Sequence, residues 1–384
     1  MRTPIGRFGG ALASLSAADL GTAAAKAALA RAGLDVDAVD QVVFGHARQA
    51  GGGPNTARQI AFRSGVPQER PAFTVNQACG SGLQAVLCAA RAIRLGEAEV
   101  VLAGGTESMS NTPYLLPRAR WGYRLGHAEI VDGMYQDGFN DPLSKLVMGE
   151  TAEELAVEAG IDRAAADEYA AETQRLCEEA RRANRFASEI VPVEVPGKKG
   201  PTPFDKDEHN RPDTTLETLA RLKPAFRPNG TITAGNAPGL NDAAAAMVLA
   251  DGTWADKRGL VPTARLVAYG IAAVEPGMFG LGPVPAVKQA LQRAGWDIRS
   301  IERAEINEAF AAIAIVVARE LGLPEDVVNV EGGAVAHGHP IGATGAVLTT
   351  KLIHSMRRDG LTRGLVTLCI GGGQGIALAI ETLH

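Results

Sequence analysis

One stretch of ten residues recurs in the chain with seven of its positions identical. Lys26-Ala27-Ala28-Leu29-Ala30-Arg31-Ala32-Gly33-Leu34-Asp35 returns without a gap as Lys288-Gln289-Ala290-Leu291-Gln292-Arg293-Ala294-Gly295-Trp296-Asp297. Each copy predicts a helix that ends on a glycine cap, Gly33 or Gly295. Each is followed by a short apolar strand, Val42-Val43-Phe44 or Ala304-Glu305-Ile306. The correspondence continues downstream. Phe73-Thr74-Val75-Asn76 and Val327-Val328-Asn329-Val330 read as strands. A Gly-rich turn follows each, Cys79-Gly80-Ser81-Gly82 or His339-Pro340-Ile341-Gly342-Ala343-Thr344-Gly345, and leads into a helix. Both halves close with an apolar strand running into glycines, at Val100–Gly105 and Leu365–Gly373. Two α/β halves of one topology are the simplest account, and alternating helices and strands predict mostly parallel sheets covered on both faces.

The chain has 384 residues, too many for one ordinary core. The repeat divides it into one half at residues 1–112 and 235–258 and another at 259–384. Residues 113–234 differ in character. They hold charged helices, such as Ala164 to Phe186, and irregular Pro-, Gly- and Lys-rich segments, such as Pro196 to Pro201. That pattern reads as an inserted lobe. With 38 basic against 43 acidic residues the chain has no positive excess, which argues against a nucleic-acid partner. Its longest apolar run, Ala309 to Ala318, is too short to span a bilayer, so no membrane partner is expected. The first twenty residues carry no apolar signal core, so a cytoplasmic location is expected. Cys79, Cys88, Cys177 and Cys369 form no CxxC pair and suit a reducing compartment.

Several residues could carry chemistry. Cys79 lies between a strand and a helix, where the helix dipole would lower its pKa; it could equally be a small core hydrophobe. His339 occupies the matching loop of the other half and could move a proton near neutral pH, or lie on the surface. Cys369 precedes three glycines, whose N–H groups could bind an oxyanion, or it is a buried strand end. Asn307, in Asn307-Glu308-Ala309-Phe310, could be a helix N-cap. Cys88 and Cys177 read as structural. His46 and His384 have no partner spacing, no metal-ligand pattern is present, and neither nucleotide-binding glycine motif occurs.

Together these segments carry a resemblance. The chain resembles the thiolases, and within them the acetyl-CoA acetyltransferases, over essentially its whole length. The matching segments are Val75–Ala85 around Cys79, Asn307–Phe310, Gly338–Gly345 and Cys369–Gly373. The resemblance implies a duplicated five-layered α/β/α/β/α fold with an inserted, CoA-binding loop domain. It implies reversible Claisen condensation of two acetyl-CoA to acetoacetyl-CoA and CoA, or thiolysis of 3-ketoacyl-CoA. The alternative within the family is a 3-ketoacyl-CoA thiolase of broader or longer chain specificity. On that resemblance Cys79 is the acylated nucleophile, His339 activates it, and Cys369 moves the α-proton. Asn307 holds a water facing the thioester oxygen, and the N–H groups of Cys79 and Gly371 form a second oxyanion site. Arg211, Met148, Phe226, Ala234, Phe310 and Phe139 would contact CoA or its acyl group. No cofactor or metal is implied, since CoA thioesters are substrates, and a homodimer or homotetramer is expected.

Some positions depart from the short-chain pattern. Pro238 stands where a Ser usually contacts pantetheine, Val147 where His is frequent, Phe279 where Met is usual and Phe139 where Leu is usual. These bear on chain length rather than on reaction type. His337 has no assigned role. Family members usually begin with a strand ahead of the segment written here as Arg2 to Gly10, so a start site placed too late is expected.

Overall fold

The structure is a computed structural model that describes residues 1–383; His384 lies outside the described residues. Two sheets dominate it. The first contains β1 (Gly6–Arg7), β2 (Gln41–Gly45), β3 (Ala72–Val75), β4 (Val100–Ser108) and β5 (Asn241–Ala250), in the order β1-β5-β4-β2-β3. The second contains β6 (Ala264–Ala273), β7 (Arg303–Ile306), β8 (Arg363–Ile370) and β9 (Gln374–Thr382), in the order β6-β9-β8-β7. A single parallel bridge from Ala304 to Val328 stands where β3 pairs with β2. The two orders are therefore the same. The expected strand at Val327–Val330 is reduced to that bridge, because a 3₁₀ turn at Glu325–Val327 shortens the approach.

The sheets are mixed rather than mostly parallel. β2 runs parallel to β3 and β4, but β5 is antiparallel to β4 and to β1. Likewise β7 is parallel to β8, while β9 is antiparallel to β8 and β6. Strand direction depends on the connection, and apolar runs do not encode it. Here β8 and β9 are joined directly through Gly371-Gly372-Gly373, whose last two residues adopt φ of 83° and 81°. The equivalent strands β4 and β5 are also antiparallel neighbours, but residues 109–240 lie between them in the chain.

Eight longer helices complete the layers: α1 (Ala17–Ala32), α2 (Thr56–Arg63), α3 (Ser81–Arg94), α4 (Met148–Ala159), α5 (Arg163–Arg182), α6 (Pro283–Ala294), α7 (Ala311–Leu321) and α8 (Ile341–Asp359). Helices α1 and α2 cover the outer face of the first sheet, α3 and α8 lie between the sheets, and α6 and α7 cover the second. This is the five-layered arrangement. The expected charged helix ends at Arg182 rather than Phe186, because Asn184 turns left-handed at φ 55°. No helix among the described residues is long and apolar enough to cross a membrane.

The repeated segment folds the same way twice. Gly33 ends α1 at φ 65° and Gly295 ends α6 at φ 68°. In both, the next residue closes the cap by donating back to a leucine carbonyl, Leu34 to Leu29 and Trp296 to Leu291. Asp35 and Asp297 then each cap a short 3₁₀ turn by accepting the N–H two residues on.

The middle layer is where the halves meet. Leu83, Leu87, Leu348 and Leu352 pack with Val366, Leu368 and Leu378 in one buried cluster. Each such side chain contributes about 1.5–3 kcal/mol on burial. Where α3 crosses α8, glycines allow backbone contact. A Cβ on Gly82 would come 2.9 Å from the Ala346 N, and one on Gly345 would come 2.4 Å from the Leu83 N.

Candidate active site

The two central helices start beside each other, and each is preceded by a turn carrying a reactive group. Cys79 stands two residues before the first residue of α3, and His339 stands two before that of α8. The residue ahead of each is left-handed: Ala78 at φ 44° and Gly338 at φ 103°. Ala78 pays a steric penalty there because it has a Cβ. Local bonds hold it. Asn76 Oδ1 accepts the Ala78 N–H at 3.0 Å, and Ser81 Oγ donates to the Ala78 carbonyl at 2.7 Å. On the other side, Asn241 Oδ1 accepts the His339 N–H at 3.0 Å while its Nδ2 donates to the Gly6 carbonyl at 2.9 Å.

The hydrogen bonds define the tautomer of His339. Thr344 Oγ1 donates its one hydrogen to the Pro340 carbonyl at 3.0 Å, so at 2.7 Å it accepts from His339 Nδ1–H. The Nε2 lone pair then meets only a long contact, from Asn307 Nδ2 at 3.5 Å. Burial first, and then the Arg48 cation, push the imidazole pKa down to about 4, with Glu107 opposing. His339 is thus a neutral acceptor at neutral pH.

Cys79 behaves opposite to the helix-dipole expectation. Burial raises its pKa, and this outweighs Arg48 and the N–H groups of Gly371 and of Cys79 itself, which favour the thiolate. The second half covers the loop, a packing effect that the loop sequence does not carry. At rest the proton stays on sulfur, in the cavity that His339 also lines. Cys369, near the end of β8, is fully buried, and burial together with a charge on Cys79 pushes its thiol well above the ordinary range.

Asn307 is not an N-cap. Helix α7 begins at Ala311 behind Phe310, and no side chain caps it. Asn307 instead turns toward His339, and its buried Oδ1 has no hydrogen-bond partner among the described residues. The neighbouring Glu308 anchors the segment by accepting from Tyr169, Thr173, Asn329 and the Val335 N–H at 2.8–3.0 Å.

A cavity of about 420 Å³ reaches Cys79, His339 and Gly371. Met148, Phe139, Phe226 and Phe310 line it, as do Val147, Pro238 and Phe279. Phe226 and Phe310 meet edge to face at 6.2 Å. Asn307 and Cys369 are buried next to this wall rather than on it. Arg211 and Ala234 lie outside the cavity on the surface, joined by a bond from Arg211 Nη1 to the Ala234 carbonyl at 3.1 Å. Among the described residues no group of three or more His, Cys, Asp or Glu could hold a metal ion.

Sequence reasoning missed a buried trio beside the cavity. His46 does have a partner: its Nε2 lies 3.2 Å from Glu107 Oε1. Glu107 also accepts the Arg48 N–H at 3.1 Å and the Gly342 N–H at 2.8 Å, tying β4 to the start of α8. Arg48 lines the cavity. The available signal was position, since His46 and Arg48 directly follow the C-terminal end of a parallel strand, where α/β sites concentrate. His337, left without a role, is buried near Cys177 Sγ at 3.8 Å and Asp207 Oδ2 at 3.7 Å. Burial lowers its pKa, but Cys177 and Asp207 outweigh that and hold it above its usual value. Asp207 in turn pairs with Arg2. His337 belongs to a structural ion network two residues from His339.

Known proteins are similar to this chain over nearly its whole length. The family model for the thiolase N-terminal domain matches residues 1–253, and that for the thiolase C-terminal domain matches residues 260–382. An acetyl-CoA acetyltransferase of Cupriavidus necator is 49% identical over 99% of this chain and 97% of its own length. The crystal structure of the Bacillus anthracis acetyl-CoA acetyltransferase matches at a TM-score of 0.97 and 44% identity, covering 100% of this chain and 97% of that one. Human mitochondrial 3-ketoacyl-CoA thiolase in complex with CoA matches at 0.96 and 42%, covering 100% and 96%. The chain belongs to the thiolase family.

Proposed function

We propose that this chain is an acetyl-CoA C-acetyltransferase working through an S-acetyl intermediate on Cys79. The observation that carries this reading is the convergence of Cys79, His339 and Gly371 on one cavity, with the His339 proton held on Nδ1 by Thr344. His339 Nε2 takes the Cys79 proton as sulfur attacks the thioester carbonyl. The new C–S bond forms, the bond to CoA sulfur breaks, and the proton passes to the departing CoA thiolate. The N–H groups of Cys79 and Gly371 stabilise the oxyanion. Cys369 first gives its thiol proton to the His339 imidazole, and a second acetyl-CoA then loses an α-proton to the resulting thiolate, a strong base because burial raises its pKa. The carbanion attacks the acetyl group, and Cys79 sulfur leaves and takes the proton back from His339. Asn307 and His339 serve the enolate oxygen, with the unpaired Asn307 Oδ1 suited to orient a water.

Residues 113–234 serve as the CoA-binding lobe in this reading, with Arg211 and Ala234 at the outer end of the carrier. The protein acts as a homodimer or homotetramer in the cytoplasm, where its four free cysteines stay reduced. Incubation with acetyl-CoA followed by peptide mass spectrometry should find acetyl on Cys79. Label on another residue, or none, sinks the assignment.

A further inference from the structure

Arg48 is the cation of the cavity, and no carboxylate among the described residues forms an ion pair with it. It is 8% exposed. Its guanidinium makes no hydrogen bond and no ion pair among the described residues, and its Nε is fully enclosed. The group lies flat on Gly138, where a Cβ would stand 2.0 Å from Nη2, and 5.7 Å from the centre of the Phe139 ring. The nearby carboxylates are engaged elsewhere. Glu107 feels the Arg48 charge, but its oxygens are taken by His46 and by the backbone N–H groups of Arg48 and Gly342, and none bonds the guanidinium. Asp132 also lines the cavity, but it accepts the Met134 N–H at 2.8 Å and forms no ion pair with Arg48.

A buried guanidinium without a carboxylate is unfavourable unless something supplies the anion. Stacking on Phe139 offsets only part of that cost. The glycine at 138 leaves the planar face seated and the Nη1–Nη2 end free, the geometry that binds a carboxylate with two parallel bonds. Arg48 sits on the Gly138–Phe139 wall, separate from the Phe226–Phe310 pair. Resting on the thiolase reading above, we propose that the acyl end of this cavity receives chains that end in a carboxylate, ion-paired to Arg48. The substrate class is then the CoA thioesters of 3-oxo-dicarboxylic acids, in addition to neutral short chains.

The test compares two six-carbon chains, 3-oxoadipyl-CoA with a terminal carboxylate and 3-oxohexanoyl-CoA without one, in the intact protein and in Arg48→Met. The ratio of their kcat/KM values in thiolysis should fall by about 100-fold or more in the variant, and Arg48→Lys should restore part of it. An unchanged ratio overturns the proposal. That includes an equal loss on both substrates, the result expected if Arg48 serves the CoA phosphates or only the fold. A second measurement needs neither variant nor turnover: adipyl-CoA should bind the unaltered protein at least about tenfold more tightly than hexanoyl-CoA, and equal or weaker binding overturns the proposal. Failure of the thiolase reading would show separately, as no thiolysis of either 3-oxo substrate.

Discussion

The two halves share a strand order and a turn two residues ahead of a central helix, yet one turn presents sulfur and the other nitrogen. Their edges differ as well. β6 is ten residues long, whereas β1 has two, and among the described residues only the first half has a full third parallel strand. The duplicated scaffold thus supplies placement, while the chemistry comes from what each half lays over the other. Burial, and then an arginine from the first half, lower the His339 imidazole pKa, and the Cys79 thiol meets an N–H from the last turn of the second. A thiol and an imidazole with their pKa values pushed apart define donor and acceptor before substrate arrives.

The largest break in that division of labour is His339→Ala. Acetylation of Cys79 and condensation should both fall about 10³–10⁴-fold, since the acceptor for the thiol proton is gone. The unaltered protein adds a pH test. Its imidazole loses the Nε2 lone pair only on protonation near pH 4, so the burst rate of acetylation should stay level from neutral pH down to about pH 5 and fall below it. A fall already centred near 6.5 would mean that His339 titrates as an ordinary histidine. The linkage to stability runs the same way. The unfolded chain takes a proton on His339 near 6.5 that the folded chain refuses until about 4, so its contribution weakens as pH drops through that window.

Cys369→Ala should separate the half-reactions. Condensation should drop about 10²–10³-fold while Cys79 acetylation changes less than about threefold, because only the second step needs the α-proton moved. Equal losses in rapid-quench measurements would refute the split.

The smallest effects compare the two turns. Gly338→Ala places a Cβ 2.4 Å from Asn241 Cγ in a left-handed backbone, and should cost about 2–3 kcal/mol in denaturant unfolding. Ala78→Gly exchanges relieved strain for lost chain rigidity, and should shift stability by less than about 1 kcal/mol. Equal costs would mean that the turns are not held as differently as their hydrogen bonds indicate.

The duplication was legible because its marks are local. Glycine caps at 33 and 295 and the aspartates that follow them fold within a few residues, so they survive as sequence. Cys79 and His339 were legible as reactive residues in matching turns. The sign of the Cys79 shift was not, because it arises from burial by segments some three hundred residues away. Arg48, His46 and Glu107 come together from two strands and carry no spacing. Strand direction was misread for a related reason: the β8–β9 connection, not the apolar pattern, makes those strands antiparallel. The phenylalanine wall came only from the family resemblance.

The crossing of α3 over α8 has a mechanical consequence. Backbone lies on backbone at Gly82 and Gly345, so no side chain acts as a spacer whose rotation could absorb error. The separation of sulfur and imidazole is then set by the hard-core diameter of the chain itself, the stiffest ruler a protein has. A single methyl inserted at this joint would wedge the two turns apart by a sizeable fraction of an ångström, on the scale at which reacting atoms lose alignment.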